Sequence, residues 1–304
     1  MSAKNRINTT LARLTGHHLA KGAPGERIAE LERQLQHART GRAKPRAAKA
    51  GQSGGQNEAG QPANSAGREP RSGVPGDIDD AAKAIIEAVR PFTMTSNEKL
   101  YGLISAVRYV VRYGIPGDIV ECGVWRGGSM QAAARTFLEV GDLSRELYLF
   151  DTFEGMSEPT EFDVRRDGTP AAELMRTKDK SSWLWAVASL DDVKSGFEQI
   201  PYPAENVHYV VGKVEDTIPA GLPEQIAILR LDTDWYESTK HELDTAYSRL
   251  SPGGVLIIDD YGHWAGSKKA TDDFVDSLDE PLLLHRLSQG RIAVKPFPGR
   301  GSGA

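Results

Sequence analysis

Two apolar runs of the sequence, residues 226–231 and 255–258, are each followed by acidic residues. These acids are Asp232, Asp234, Asp259 and Asp260. The segment between the runs has apolar side chains at helical spacing, so the pattern predicts strand, helix, strand. Nearly continuous apolar runs are typical of parallel strands that are covered on both faces. Because ligands of open α/β sheets bind at the carboxyl edge of the strands, we expect the four carboxylates to lie together at that edge.

Four neighbouring carboxylates repel one another unless a cation neutralises them. Hard oxygen ligands without cysteine or histidine suit Mg²⁺, Ca²⁺ or Mn²⁺ rather than zinc. Individual aspartates of the four could instead cap a helix or face water in a loop. Two acidic groups at the ends of neighbouring buried strands favour the cation site.

A glycine-rich turn follows an apolar strand further upstream, in the spacing Glu121-x-Gly123-x-x-x-Gly127. Glycines let the backbone approach a ligand where Cβ atoms would block it. The spacing differs from the dinucleotide fingerprint because an acid leads it, and no phosphate-binding lysine follows. Glu121 can accept hydrogen bonds from an ammonium group. Ser129, where a helix begins with free N–H groups, can hold a carboxylate, so an amino-acid moiety fits this turn.

The next predicted strand, residues 146–151, ends in Asp151. An acid at the tip of the second strand commonly binds the hydroxyls of a ribose, although it could also cap a helix. Together with the glycine-rich turn, Asp151 indicates a nucleoside cofactor. Residues 155–185 then form a long insertion with turn formers and two tryptophans. This insertion is either a lid over the site or a disordered surface loop.

Charge and composition divide the 304-residue chain into a basic arm and an acidic body. Residues 1–72 contain 13 Lys or Arg against 5 Asp or Glu, a balance of +8, which leaves −13 for the rest of a chain of net charge −5. The acidic body argues against nucleic acid as a partner. We therefore expect residues 1–76 to be a flexible arm with a short helix near 26–39, and residues 77–304 to be the globular domain.

Cys122 is the single cysteine of the chain, which favours a reducing cytoplasm and excludes an intramolecular disulfide. Its place in an apolar strand predicts a small core residue. No stretch approaches 18 apolar residues, so we expect no membrane span. The charged N-terminus has no apolar core behind it and does not resemble a secretory signal.

Strands and helices alternate along residues 77–304, and two short strands about the turn at Gln289–Gly290 close the chain. This order predicts an α/β fold with a doubly wound, mostly parallel sheet and a C-terminal antiparallel hairpin. Two helices precede the first strand, and Ser96 is expected to cap the second of them.

Four motifs in order carry a family resemblance. They are residues 117–129 (GDIVECGVWRGGS), 149–156 (LFDTFEGM), 231–238 (LDTDWYES) and 252–262 (PGGVLIIDDYG). They resemble the macrocin O-methyltransferase (TylF-type) family over roughly residues 92–296, with one departure at Thr233, where glycine is expected. The resemblance implies a class I, Rossmann-like methyltransferase fold. It also implies a methyl transfer, dependent on S-adenosylmethionine and Mg²⁺, to a hydroxyl that is usually on a sugar of a glycosylated natural product.

The resemblance also implies roles for individual residues. The cofactor-binding positions are Glu121, Gly123, Trp125, Gly127, Ser129, Asp151, Gly212, Val214 and Glu215. Among them Glu121, Gly123 and Ser129 are expected at the methionine part, Asp151 at the ribose and the last three at the adenine. The expected metal ligands are Asp232, Asp259 and Asp260. Asp234 is expected as the general base, although Asp232 and Asp234 could exchange roles.

Several alternatives stay open at this point. A catechol-type O-methyltransferase would use the same metal site on an aromatic vicinal diol. A non-catalytic scaffold could keep the fold, but such a protein would have no reason to bear the repulsion of four carboxylates. We expect His263 and Trp264 to border the acceptor pocket and His241 to lie on the surface. The acceptor is expected to be a small hydroxylated molecule, and relatives indicate an assembly of at least two copies.

Overall fold

The computed structural model describes residues 75–179 and 182–298. The predicted basic arm, with its helix near 26–39, lies almost wholly outside the described residues. In the described part the helices are α1 (Asp80–Val89), α2 (Asn97–Arg112), α3 (Gly128–Val140), α4 (Ala171–Thr177), α5 (Leu190–Phe197), α6 (Val214–Thr217), α7 (Tyr236–Ala246) and α8 (Ala265–Asp276). The strands are β1 (Asp118–Cys122), β2 (Leu147–Asp151), β3 (Val207–Val211), β4 (Ile226–Leu231), β5 (Leu250–Ile258), β6 (His285–Leu287) and β7 (Gly290–Val294).

The strands form one sheet in the order β3-β2-β1-β4-β5-β7-β6. The first five strands of the chain pair in parallel, and β7 runs antiparallel to both β5 and β6. The predicted mostly parallel sheet with a C-terminal antiparallel hairpin is therefore confirmed. The strand order reverses between β1 and β4, and a crevice at such a reversal is where open α/β sheets bind ligands.

Side chains alternate between the two faces of each strand, so the sheet has a core on both sides. In β1, Ile119 packs into the core on one face, with residues of α2, α3 and α5. Val120 and Cys122 pack into the core on the other face, with Leu243 of α7 and Phe274 of α8. The cysteine is free and buried, as its position in an apolar strand predicts. Among the described helices, none combines the length and the apolar composition that a bilayer span needs.

Polar side chains begin the first two helices. Asp79 accepts a hydrogen bond from the Ala82 N–H at 3.0 Å, and Ser96 accepts one from the Lys99 N–H at 3.4 Å. The cap at Ser96 is thus where the sequence predicts it.

The described residues of the insertion are folded against the end of the sheet. Met175 of α4 and Leu184 lie in a buried cluster with Trp235 and Trp264, which follow the two acidic motifs. The rings of the two tryptophans meet edge to face at 4.9 Å between centroids. A disordered surface loop is therefore wrong for the described part of this segment.

Candidate active site

Three acidic side chains converge at the carboxyl edge of the sheet. Asp232 directly follows β4, and Asp259 and Asp260 directly follow its parallel neighbour β5. One carboxylate oxygen from each of the three lies within 4.8 Å of the other two. Oδ2 of Asp260 is buried and has no hydrogen-bond partner within the described residues. Three converging carboxylates with an unpaired buried oxygen fit a hard divalent cation.

Two cations that the sequence analysis passed over lie among these carboxylates. Arg230 of β4 is only 2% exposed and donates hydrogen bonds to Glu121, to Asp259 and, at 2.7 Å, to Asp232. Nζ of Lys99, on α2, lies 2.6 Å from Oδ2 of Asp259. One signal for Arg230 was available, because it is the one charged residue within an otherwise apolar strand segment, 226–231. Lys99 lies on a helix with other polar residues and gives no such signal.

The two cations do not neutralise the whole acidic cluster. Burial opposes ionisation of Asp259, but Lys99 and Arg230 outweigh burial and hold the pKa of Asp259 at about 2. Burial raises the pKa of Glu121 to about 8 despite its contact with Arg230. Burial also raises the pKa of the carboxyl groups of Asp232 and Asp260 well above the usual range. The site therefore has more carboxyl groups than fixed cations and favours either protons or an added cation.

Asp234 is separate from the three converging aspartates and lies beside them. Its backbone has φ of 68°, so the chain turns at Asp234 and does not continue as an extended strand. Aspartate tolerates this left-handed conformation better than most residues. Burial, and then the negative charge of Asp232, raise the pKa of Asp234 to about 7, while a hydrogen bond with Asp260 opposes the rise.

A side chain of α7 contacts the turn that carries Asp234. The Thr233 hydroxyl donates to Oε2 of Glu242 at 3.2 Å, and Glu242 is fully buried. Burial raises the pKa of the Glu242 carboxyl well above its usual range. Thr233, the residue that departs from the expected glycine, therefore gives the turn a contact that glycine would lack.

Glu121 and Gly123 join β1 to the acidic cluster. One oxygen of Glu121 accepts from Arg230, and Oε2 is buried without a hydrogen-bond partner in the described structure. An ammonium group is a suitable donor for this free oxygen. Gly123 has φ of 82°, and a Cβ there would lie 2.1 Å from the carbonyl oxygen of Asp232. Glycine at 123 is thus required by the contact between the ends of β1 and β4.

Asp151 lies at the tip of β2, as predicted, and its carboxylate orders the glycine-rich turn. Oδ2 accepts hydrogen bonds from the N–H groups of Val124 and Trp125, at 2.7 and 2.9 Å. Oδ1 accepts from the Phe153 N–H at 2.8 Å. Trp125 has a left-handed φ of 48°, so these hydrogen bonds hold a strained turn.

The remaining predicted cofactor positions lie at the same edge of the sheet. Gly127 precedes α3 with a left-handed φ of 78°, and Ser129 is buried in the first turn of that helix. Gly212 follows β3 and donates its N–H to the carbonyl of Asp151 at 3.0 Å. Val214 and Glu215 begin α6, and Glu215 accepts from the Ser238 hydroxyl at 2.7 Å. The tips of β1, β2 and β3 thus bring the predicted positions to one side of the acidic cluster.

The expectation for Trp264 needs correction. Trp264 is only 3% exposed and packs against Trp235, so it is a packing residue and not part of a pocket wall. His241 is partly buried, and its ring nitrogen lies 3.2 Å from the carbonyl oxygen of Ile218. His263 is also partly buried, and burial, followed by the charge of Lys99, lowers its pKa.

Residues 79–284 match the family model described as Macrocin-O-methyltransferase (TylF). The chain belongs to this family. The match covers the glycine-rich turn, Asp151 and both acidic motifs, which are the segments that form the site. The TylF family match ends at the point where the C-terminal hairpin begins.

Curated relatives of this TylF family member come from natural-product biosynthesis. A Streptomyces olivaceus protein named 8-demethyl-8-(2,3-dimethoxy-alpha-L-rhamnosyl)-tetracenomycin-C 4'-O-methyltransferase is 38% identical over 172 residues, which cover 56% of this chain and 62% of that protein. The demethyldecarbamoylnovobiocin O-methyltransferase of Streptomyces niveus is 32% identical over 198 residues, which cover 64% of this chain and 72% of that protein. The alignment thus spans less than two thirds of the first relative's length.

The solved structure of the O-methyltransferase NovP is similar to this TylF family member, with a TM-score of 0.60 and 28% identity. The likeness covers 68% of this chain and 83% of that chain. The calicheamicin methyltransferase CalS11 shares the fold, with a TM-score of 0.50 and 18% identity over 71% of this chain and 91% of that chain. The Rossmann-like methyltransferase fold that the motifs imply is therefore confirmed.

Proposed function

We propose that this protein is an O-methyltransferase that uses S-adenosylmethionine and Mg²⁺ to methylate a sugar hydroxyl of a glycosylated natural product. The convergence of Asp232, Asp259 and Asp260 at the sheet edge that also carries Glu121 and Asp151 is the observation that carries the proposal. The family match supports the methyl donor. The printed name of the Streptomyces olivaceus relative mentions a rhamnosyl group, which supports a sugar as the acceptor.

The chain offers a group for each part of the cofactor. Oε2 of Glu121, the unpaired buried acceptor, would accept hydrogen bonds from the ammonium group of the methionine part. The N-terminus of α3 near Ser129 would receive the carboxylate. Asp151 would hold the ribose hydroxyls, and Val214 and Glu215 would border the adenine. Gly123 and Gly127 would allow the backbone of the turn to come close.

Asp232, Asp259 and Asp260 would hold the metal ion through their carboxylate oxygens. Bound Mg²⁺ would supply Lewis-acid polarisation of the acceptor hydroxyl, and bound S-adenosylmethionine would supply an activated methyl group. Lys99 and Arg230 keep Asp259 ionised at neutral pH, so that it can serve as a ligand without losing a proton first.

Asp234 would remove the proton of the acceptor hydroxyl at its own carboxylate. A general base works best when its pKa is near the working pH, and the pKa of Asp234 is about 7. Asp234 is also partly exposed and outside the group of three converging aspartates, so it remains free to face an acceptor. The same reasoning leaves Asp232, which is held by Arg230, as a metal ligand.

We also propose that the enzyme is cytoplasmic and works as an assembly of at least two copies. The lone buried thiol of Cys122 is consistent with a reducing compartment. The assembly follows from the family resemblance, and the size of the purified protein by light scattering tests it.

The first experiment is a calorimetric titration with S-adenosylmethionine and S-adenosylhomocysteine, with and without Mg²⁺. We expect wild-type protein to bind both, and Asp151→Ala to lose binding while its circular dichroism spectrum stays native. Asp80→Ala, at an exposed aspartate of α1, is the control and should bind as wild type does. Absence of binding by a folded wild-type protein would overturn the proposal and leave a non-catalytic scaffold.

The second experiment identifies the acceptor. Purified enzyme, S-adenosylmethionine and Mg²⁺ are incubated with glycosylated natural products that carry free sugar hydroxyls and, in parallel, with aromatic vicinal diols. Mass spectrometry of the products detects the added methyl group. Methylation of the sugar-bearing compounds alone is the expected result, whereas methylation of the diols alone would assign a catechol-type enzyme.

A further inference from the structure

A fully buried aspartate lies outside the predicted site, in the segment that precedes α4. Asp163 is 0% exposed, and both of its carboxylate oxygens are used. Oδ2 accepts from the N–H and the hydroxyl of Thr160, at 2.7 and 2.9 Å. Oδ1 accepts from the N–H of Tyr236 at 2.7 Å. Burial of a carboxylate is costly unless several donors satisfy it, so this arrangement calls for an explanation.

The contact with Tyr236 places Asp163 at the start of α7. Tyr236 is the first residue of that helix, and its N–H is one of the donors that a helix leaves unpaired at its N-terminus. A negative charge at this end of a helix is stabilised by the helix dipole. Because α7 begins two residues after Asp234, Asp163 holds the turn that carries the proposed base.

The same carboxylate also lies against the start of α8. Gly266 is the second residue of that helix, and a Cβ there would lie 1.9 Å from Oδ1 of Asp163. α8 begins five residues after Asp260. One side chain from the insertion therefore lies at the N-termini of both helices that follow the acidic motifs.

Backbone hydrogen bonds extend the connection on either side of Asp163. The Ala265 N–H donates to the carbonyl of Val164 at 2.8 Å, and the Arg166 N–H donates to the carbonyl of His263 at 3.2 Å. The Trp235 indole N–H donates to the carbonyl of Ser157 at 2.9 Å. Residues 157–166 are thus hydrogen-bonded to the loop after β4 and to the loop after β5.

We propose that Asp163 is a positioning residue, and that residues 157–166 form a clamp that sets the distance between the two acidic loops. The role of this spacing in cation binding rests on the proposed function, whereas the clamp itself does not. Asp232 and Asp234 lie on one loop, and Asp259 and Asp260 lie on the other. Without Asp163 the two helix starts lose their common partner, so the metal ligands are held less closely together.

Asp163→Asn tests the clamp, because the amide nitrogen of asparagine cannot accept a hydrogen bond. The variant must therefore lose the bond from the Thr160 N–H or the bond from the Tyr236 N–H. The control is Glu161→Gln, the same change at an exposed position two residues away. Loss of supporting contacts around metal ligands typically weakens metal affinity or activity by about 10- to 100-fold. We expect Asp163→Asn to weaken Mg²⁺ affinity and lower kcat by about tenfold. We expect it to leave S-adenosylhomocysteine affinity within about twofold, because the cofactor positions lie on or after β1, β2 and β3 and not on the two acidic loops.

Hydrogen–deuterium exchange separates failure of the clamp from failure of the proposed function. Exchange is measured in peptides covering residues 232–236 and 259–266, without metal or acceptor. Faster exchange in both peptides for Asp163→Asn, but not for Glu161→Gln, supports the clamp even if the protein binds no Mg²⁺. Unchanged exchange, or a lower melting temperature with unchanged Mg²⁺ affinity and kcat, would overturn it.

Gly266→Ala gives an independent test if Asp163→Asn does not fold. The added methyl group must displace the Asp163 carboxylate from the start of α8, while the charge is retained. We expect faster exchange in the same two peptides and weaker Mg²⁺ binding. A folded Gly266→Ala protein with wild-type exchange and wild-type Mg²⁺ affinity would contradict the clamp.

Discussion

Arg230 is the residue on which the charge balance of the site depends. Its guanidinium group contacts Glu121 of β1, Asp232 directly after β4 and Asp259 directly after β5. The planar fork of arginine can serve several carboxylates at once, which a lysine ammonium group does less well. A buried cation is tolerated here because each side of it faces an acid.

Arg230→Met should destabilise the protein by about 3–5 kcal/mol, because it leaves buried carboxylates without their partner. Urea denaturation measures the change in the free energy of unfolding. Arg230→Lys keeps the charge but not the planar fork. Its free energy of unfolding should lie between those of Arg230→Met and wild type. Arg286→Met, at an exposed residue of β6, is the control. A Met variant as stable as wild type would show that the buried ion pairs are dispensable.

Asp234→Asn should lower kcat by at least about 100-fold, since general-base catalysis commonly contributes 10²–10⁴. Affinity for S-adenosylhomocysteine should stay within about twofold, because Asp234 is not among the proposed cofactor contacts. Asp244→Asn, on the exposed face of α7, is the control for the same chemical change. Steady-state kinetics measures the effect on kcat, and calorimetry measures the affinity for S-adenosylhomocysteine. Full activity of Asp234→Asn would show that another group is the base.

At the scale of elements, a side chain at the start of one helix connects that helix to its neighbours. Asp79 begins α1 and also pairs with Arg108 of α2, whose guanidinium reaches Glu139 of α3 as well. The hydrogen bond from Arg108, followed by that from the Ala82 N–H, holds the pKa of Asp79 below its usual range. The stabilisation from Asp79 is therefore present above the ordinary aspartate pKa of about 4 and is lost as the pH falls.

Asp79→Ala should lower the free energy of unfolding by about 1 kcal/mol, the usual cost of removing an N-cap side chain. Thermal and urea unfolding at neutral pH measure it. Asp80→Ala is the matched control, because Asp80 is the next residue and its exposed carboxylate contacts Lys83 at 3.4 Å. Equal effects of the two substitutions would mean that the cap and the pair with Arg108 contribute no more than the exposed carboxylate of Asp80.

At the scale of the whole molecule, folding gathers acids that the unfolded chain keeps apart. Burial raises the pKa of Asp234 to about 7 and that of Glu121 to about 8, and it also raises the pKa values of Asp232 and Asp260. In the unfolded chain such groups titrate near pH 4. The folded state thus holds protons that the unfolded state releases, so the contribution of these groups to stability falls as the pH rises from about 4 to about 8.

Mg²⁺ should therefore stabilise the folded protein more at about pH 8 than at about pH 6, because fewer protons compete for the carboxylates. The measurement is the melting temperature with and without saturating MgCl₂, at constant ionic strength. Asp260→Asn should abolish the pH-dependent increment. The same shift in melting temperature at both pH values, or the same shift in the variant, would contradict a cation site at these aspartates.

Prediction of secondary structure from sequence worked where local pattern carries the information. The parallel strands β1, β2, β4 and β5 are apolar because both faces of the sheet are covered, and the acids and glycines at their ends mark where each strand stops. Helix α8 was not predicted. Its buried face is built mainly from the small residues Gly266, Ser267, Ala270 and Thr271, which give little hydrophobic periodicity.

The sequence by itself determined the fold class, the family and the positions of the acidic motifs, because each depends on short segments of consecutive residues. Only the tertiary structure decided which acidic side chains contact which donors. Arg230 and Glu121 are 109 residues apart and Lys99 and Asp259 are 160 apart. Asp163 and Tyr236 are 73 apart. Local periodicity carries no information about such distant pairs, since they form only when strand order and helix packing bring them together.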